Sequence, residues 1–128
     1  MAKNIGIVIH EPVKNQMIEE YKKHSILVLT SIFEPFGLIL PEAMSCGLPV
    51  VSFDCPYGPA DIITNGVDGF LVKNRDVNEF ADRVCQLIEN RELRVRMGQA
   101  AVKSAQRYRA DLIMPKWKDL FERLCRKE

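Results

Sequence analysis

The chain has 128 residues, 47% of them hydrophobic and 27% charged, which suits one soluble globular domain with a real core and is too short for two ordinary domains. Lys and Arg number 18 against 17 Asp and Glu, so no overall basic field exists to draw in nucleic acid. Cys46, Cys55, Cys85 and Cys125 form no C-x-x-C pair and read as buried, reduced thiols, two histidines are too few for a His-rich metal site, and no apolar run approaches the ~18 residues that span a bilayer.

In chain order, "IGIVI" (5–9) is a β-branched run of the kind found in a buried parallel strand, and it is no signal peptide, since Glu and Pro follow it without a small-residue cleavage site. Beyond Pro12, Val13, Met17 and Tyr21 share one helical face, with Ile18 beside them. "SILVLT" (25–30) predicts a second strand, and a loop from Ser31 to Phe36 leads to a helix beginning at Gly37 or Leu38 and closed by Gly47. "PVVSFD" (49–54) predicts a third strand, "CPYGPADIITNG" a turn-rich connection with one helical turn, and "DGFLV" (68–72) a fourth strand. Asp76 and Glu79 resemble a capping box opening a helix that carries Phe80, Val84, Leu87 and Ile88. A further helix carries Leu93, Met97, Ala100, Ala101 and Tyr108, and a last one opens near Asp111 and Pro115 and aligns Trp117, Leu120, Phe121 and Leu124. Strands alternating with helices give an α/β fold, a parallel sheet of about four strands with helices on both faces. Ligands of such sheets gather beyond the carboxyl ends of the strands, and Glu34 sits just past the end of the second one.

Glu34 and Glu42 lie eight positions apart in "SIFEPFGLILPEAM". Pro41 within the run supports a helix start just upstream, because a first-turn N–H has no partner within the helix. The first amides of that helix are free donors, and Gly37 lets another molecule approach the backbone. Backbone donors suit a diphosphate or a sugar oxygen, and carboxylates accept from hydroxyls, so a nucleotide sugar would use both. Taken singly, Glu34 reads as a solvated loop residue and Glu42 as a helix-start carboxylate favoured by the dipole. A retaining glycosidase pair is a further reading, with no second acidic cluster or barrel repeat to support it. Lys14, Lys22 and Lys23 read as a solvated face, and Trp117 and Phe121 as core.

"EPFGLILPE", continued by "EAMSCGLPVVSFD", is similar to the two-glutamate, seven-spacer signature of retaining glycosyltransferases with the GT-B fold. The chain from about residue 4 to 124 resembles the C-terminal, Rossmann-like donor-binding lobe of a bacterial family 4 member, including "GPADIITNGVDGFLV", "LIENRELRVRMGQAA" and "IMPKWKDLFERL". The resemblance implies that Glu34 holds hydroxyls of the transferred sugar and is the catalytic position. It implies that Glu42 accepts from the ribose, that Phe36, Gly37 and Leu38 present amides to sugar and phosphates, and that the loop from His10 to Asn15, with Pro12, lies against the base. Asp61 stands where many relatives carry Glu, and Pro41 where leucine is more usual.

Residues 1–128 then form a single nucleotide-sugar-binding lobe without the lobe's first strands, its basic pair, or the N-terminal acceptor domain. The parent enzyme would move a hexose or N-acetylhexosamine from an NDP-sugar to a glycan or lipid-linked acceptor in surface polysaccharide synthesis. "CPYGPADII" favours a UDP-sugar, and with no Asp-x-Asp motif neither a metal nor a cofactor is required. The resemblance implies a cytoplasmic location, at the inner face of the membrane for a lipid-linked acceptor, and an inactive fragment. A non-catalytic α/β binding or interaction module derived from such an enzyme is the alternative. An exposed strand edge leaves self-association open.

Overall fold

The computed structural model describes residues 17–126. The strand expected at 5–9 and the loop carrying Pro12 lie outside the described residues. The elements are α1 (Met17–Lys22), β1 (Leu27–Leu29), α2 (Ile39–Ser45), β2 (Val50–Asp54), α3 (Pro59–Ile62), β3 (Gly69–Lys73), α4 (Val77–Glu89), α5 (Arg91–Ala105), a 3-10 turn (Gln106–Tyr108) and α6 (Ala110–Cys125). The three described strands are all parallel, in the order β1-β2-β3, with Val51 between Val28 and Phe70. The α/β architecture is the expected one. Among the described residues no strand lies on the outer side of β1, and Val28 on that strand is 47% exposed.

Burial on both faces of the sheet explains the unbroken apolar run of β2, in which Val50, Val51, Ser52 and Phe53 are all buried. Val50 packs with Leu40 and Met44 of α2, Ile62 of α3 and Ala101 of α5. Val51 and Phe53 point the other way, onto Phe70, Val72, Phe80, Leu87 and Met97. α1 joins through Tyr21, which packs with Ala43 and Leu48.

Local signals place the helix ends. Gly47 takes the left-handed conformation just past α2; its N–H donates to Met44 O at 3.0 Å and that of Leu48 to Ala43 O at 3.2 Å, the paired bonds of a Schellman stop. Asp76 caps α4 by accepting from the Glu79 N–H at 3.0 Å, while the Glu79 carboxylate turns to Arg83 instead of completing the box. Pro41 occupies the first turn of α2 and is buried, so its missing N–H costs nothing. Buried Asp68 ties the approach to β3 to α5, accepting from the Thr64 N–H at 2.8 Å and the Ser104 hydroxyl at 2.6 Å.

Three expectations shift. Of the thiols expected to be buried only Cys55 is; Cys46 is half-buried, and Cys85 and Cys125 lie exposed on α4 and α6. β1 has three residues where six were expected, because its described ladder runs only from Leu27 to Leu29. α6 starts at Ala110, holds Pro115 in its interior, and buries none of its residues; Trp117 and Phe121 stack on each other at 5.7 Å while staying 51% and 57% exposed. They are not core.

Candidate functional site

The loop of residues 30–38 leaves the carboxyl end of β1 and turns into α2. Glu34 is half-buried there. Gly37 follows at φ +85, a conformation that a side chain disfavours, and a methyl group on it would sit 3.0 Å from Glu34 Cγ. The glycine therefore serves both the turn and the seat of the Glu34 side chain. From the other side Gly58 closes on the same loop. A methyl group on Gly58 would come within 2.7 Å of the Glu34 carbonyl oxygen, and closer still to that of Phe36. Next to it, Tyr57 adopts a left-handed φ of 72, unusual for a non-glycine residue, and meets the Phe33 ring edge-on at 5.9 Å.

Gly58 leads directly into α3, and a clamp grips the far end of that helix. The Arg107 guanidinium donates to Asp61 O at 3.0 Å and Ile62 O at 2.6 Å, and the Tyr108 hydroxyl donates to Asp61 O at 3.2 Å. These bonds satisfy carbonyls at the end of a four-residue helix that has few of its own. Tyr108 also meets the Phe36 ring in a T-shaped contact at 5.7 Å. Cys55 lies behind the loop; burial pushes its thiol up, and the nearby Glu34 and Asp54 charges add to the rise, so it stays protonated.

Glu42 is the fourth residue of α2, about 4.5 Å along the axis from Ile39, and is exposed. Its Oε2 accepts the Tyr21 hydroxyl at 3.1 Å. The Tyr21 phenol is pushed up to about 12, chiefly by burial, then by its bond to Glu42 and the charge there. An open hollow of about 270 Å³ is lined by Leu38, Pro41, Glu42, Ser45, Ala105, Tyr108 and Arg109. A larger hollow, about 510 Å³, runs along the α5 surface by Arg91, Val95 and Gln99, away from this loop.

The expected residues from Glu34 to Glu42 thus lie on one stretch after β1, with Leu38 and Glu42 on a shared hollow; Pro12 lies outside the described residues. α2 begins at Ile39, so Gly37 and Leu38 belong to its approach. Tyr21, Gly58, Arg107 and Tyr108 escape sequence reasoning. A turn signal marks Gly58, and apolar periodicity marks Tyr21 and Tyr108, yet neither signal says what they touch.

Residues 2–104 match the family described as Glycosyl transferases group 1. The chain is 33% identical over 122 residues to a poly(ribitol-phosphate) alpha-N-acetylglucosaminyltransferase of Staphylococcus aureus (strain COL), covering 94% of this chain and 24% of that protein. The crystal structure of a mutant of S. aureus TarM in complex with fondaparinux, alpha-GlcNAc-glycerol and UDP is 34% identical, with a TM-score of 0.79 over 84% of this chain and 22% of that one. The C-terminal domain of a glycosyl transferase group 1 family protein (LpcC) from Francisella tularensis is 27% identical, with a TM-score of 0.66 over 80% of this chain and 50% of that one. The chain spans about a quarter of the length of the S. aureus relative. With the matched residues taking in every described strand and the whole stretch from Glu34 to Glu42, the chain belongs to the Glycosyl transferases group 1 family, and its parallel α/β unit is part of a GT-B glycosyltransferase fold.

Proposed function

We propose that the chain is the C-terminal, donor-binding lobe of a family 4 retaining glycosyltransferase, and that the stretch from Glu34 to Glu42 receives a nucleotide sugar, with UDP the favoured nucleotide. One observation carries the reading: a half-buried carboxylate and an exposed one sit on a single short segment at the carboxyl end of the sheet, the first seated by Gly37 and Gly58, the second held by Tyr21. UDP in the similar S. aureus structure supports the choice of nucleotide. In this reading Glu34 is the catalytic position and faces the hydroxyls of the transferred sugar. Glu42 accepts from the ribose, and the backbone of Phe36, Gly37 and Leu38 faces the diphosphate. The loop with Pro12 meets the base.

Retaining transfer requires the diphosphate to leave as positive charge grows on the anomeric carbon, so fixed dipoles and cations around that group lower the barrier. The reading assigns dipoles to this lobe, and places the basic pair and the acceptor lobe outside residues 1–128. It needs no metal ion. Transfer by this chain alone is expected to be unmeasurable, because nothing positions an attacking hydroxyl. The parent enzyme would work in the cytoplasm, at the inner membrane face where its acceptor is lipid-linked, in surface polysaccharide synthesis; the name of the S. aureus relative, with its poly(ribitol-phosphate) and its N-acetylglucosaminyl group, supports a polymeric acceptor and a hexosamine donor.

Titration with UDP, GDP and ADP, followed by amide NMR at Gly37 and Glu42, tests the reading. One nucleotide is expected to move both amides. Glu42→Ala is expected to weaken that nucleotide roughly 10- to 100-fold, the range for losing hydrogen bonds to a charged group. A folded chain that binds none of the three would instead make it a non-catalytic module.

A further inference from the structure

Tyr21 is 6% exposed, with its ring fixed between α1 and α2 against Ala43 and Leu48. Its hydroxyl reaches Glu42, 21 residues away on α2, at 3.1 Å. A buried phenol commonly finds some acceptor, so the bond alone is ordinary. What it does to Glu42 is less so. A lysine or arginine there would neutralise the carboxylate and compete with a ligand for it. A phenol donates one proton, leaves the charge in place, and occupies only one of about four lone-pair positions on the carboxylate. Glu42 is thus fixed at one oxygen and still open to hydroxyl donors at the rest. An exposed glutamate otherwise samples several rotamers, and holding it beforehand removes an ordering cost from binding.

We infer that Tyr21 is a positioning residue for nucleotide recognition, pinning the Glu42 carboxylate so that it accepts from the ribose hydroxyls of the donor. The inference rests on the proposed donor-site reading. It makes α1 part of the site without requiring any residue of that helix to touch the ligand.

The test compares affinities of the full chain for UDP, GDP and ADP with those for their 2′-deoxy counterparts, in wild type, Tyr21→Phe, Glu42→Gln and the double variant. The wild type is expected to prefer the ribonucleotide by about tenfold, one charge-assisted hydrogen bond's worth. Tyr21→Phe keeps the ring and its packing. It is expected to cut that preference at least about threefold while the deoxynucleotide affinity holds, and the double variant to lose no more than Glu42→Gln alone. A purely structural tyrosine would weaken both nucleotides alike. If Tyr21→Phe leaves the preference intact while Glu42→Gln abolishes it, the positioning role is wrong and the donor site stands. If Glu42→Gln also changes nothing, or no nucleotide binds, the donor-site reading fails and takes this one with it. A ligand-free check uses the Tyr21 ring carbon signal: Glu42→Gln is expected to lower the phenol's titration from about 12 while burial keeps it above 10.0. An unchanged titration would show that the two side chains do not meet.

Discussion

The Tyr21 hydroxyl donates to Glu42 across 3.1 Å, and the proton it keeps makes the fold itself sensitive to base. The phenol's ordinary value is 10.0 and the folded chain raises it to about 12, so the folded state holds the proton more tightly than the unfolded one. Stability from this group is therefore complete below pH 10.0 and is lost as pH rises through about 12. Strong base acts on the whole chain, so the measurement is a difference: urea midpoints of wild type and Tyr21→Phe are expected to converge between those two pH values. The sequence shows Tyr21 as one apolar position among Val13 and Met17, because periodicity reports which face a ring occupies and says nothing of where its hydroxyl ends. The two glutamates were legible for the opposite reason. Their spacing, the glycine and the proline all sit within nine residues, where local chain geometry decides the arrangement.

At the scale of elements, the Arg107 and Tyr108 clamp joins the 3-10 turn after α5 to α3, and Gly58, just before α3, lies against the loop of Glu34. Arg107→Ala is expected to cost about 1 kcal/mol, since the guanidinium is mostly exposed and its hydrogen bonds to carbonyls are worth about that. It is also expected to raise amide exchange at Ile62 and Ile63 and broaden the Glu34 signal; unchanged exchange there would mean that the clamp does not hold α3. The helices themselves were readable from apolar spacing and from cap residues such as Asp76 and Gly47, which act on neighbours three or four positions away. The shortness of β1 was not readable: Ser25, Ile26 and Thr30 have strand-compatible surroundings in sequence, but only residues 27–29 find partners on β2.

Across the whole molecule, stability is concentrated in the two faces of the sheet. Leu87 is fully buried, and Leu87→Ala is expected to cost about 2–5 kcal/mol. Trp117→Ala and Phe121→Ala, on a helix that buries none of its residues, are expected to cost about 0.5 kcal/mol or less each. Urea titration of the three variants checks the contrast, and a large loss from either aromatic would place α6 in the folding core after all. The apolar stripe of α6 was plain in the sequence, yet a stripe gives the direction a face points along its own helix and not whether anything in the same chain meets it.

The clamp on α3 has one more consequence. Arg107 and Tyr108 grip main-chain oxygens of residues 61 and 62, which every amino acid supplies, so the clamp itself asks for no particular side chain at either position. The constraint is exported 46 residues down the chain to Arg107, where a change of letter does matter, so the residue that guards the loop is one that never comes near it in sequence.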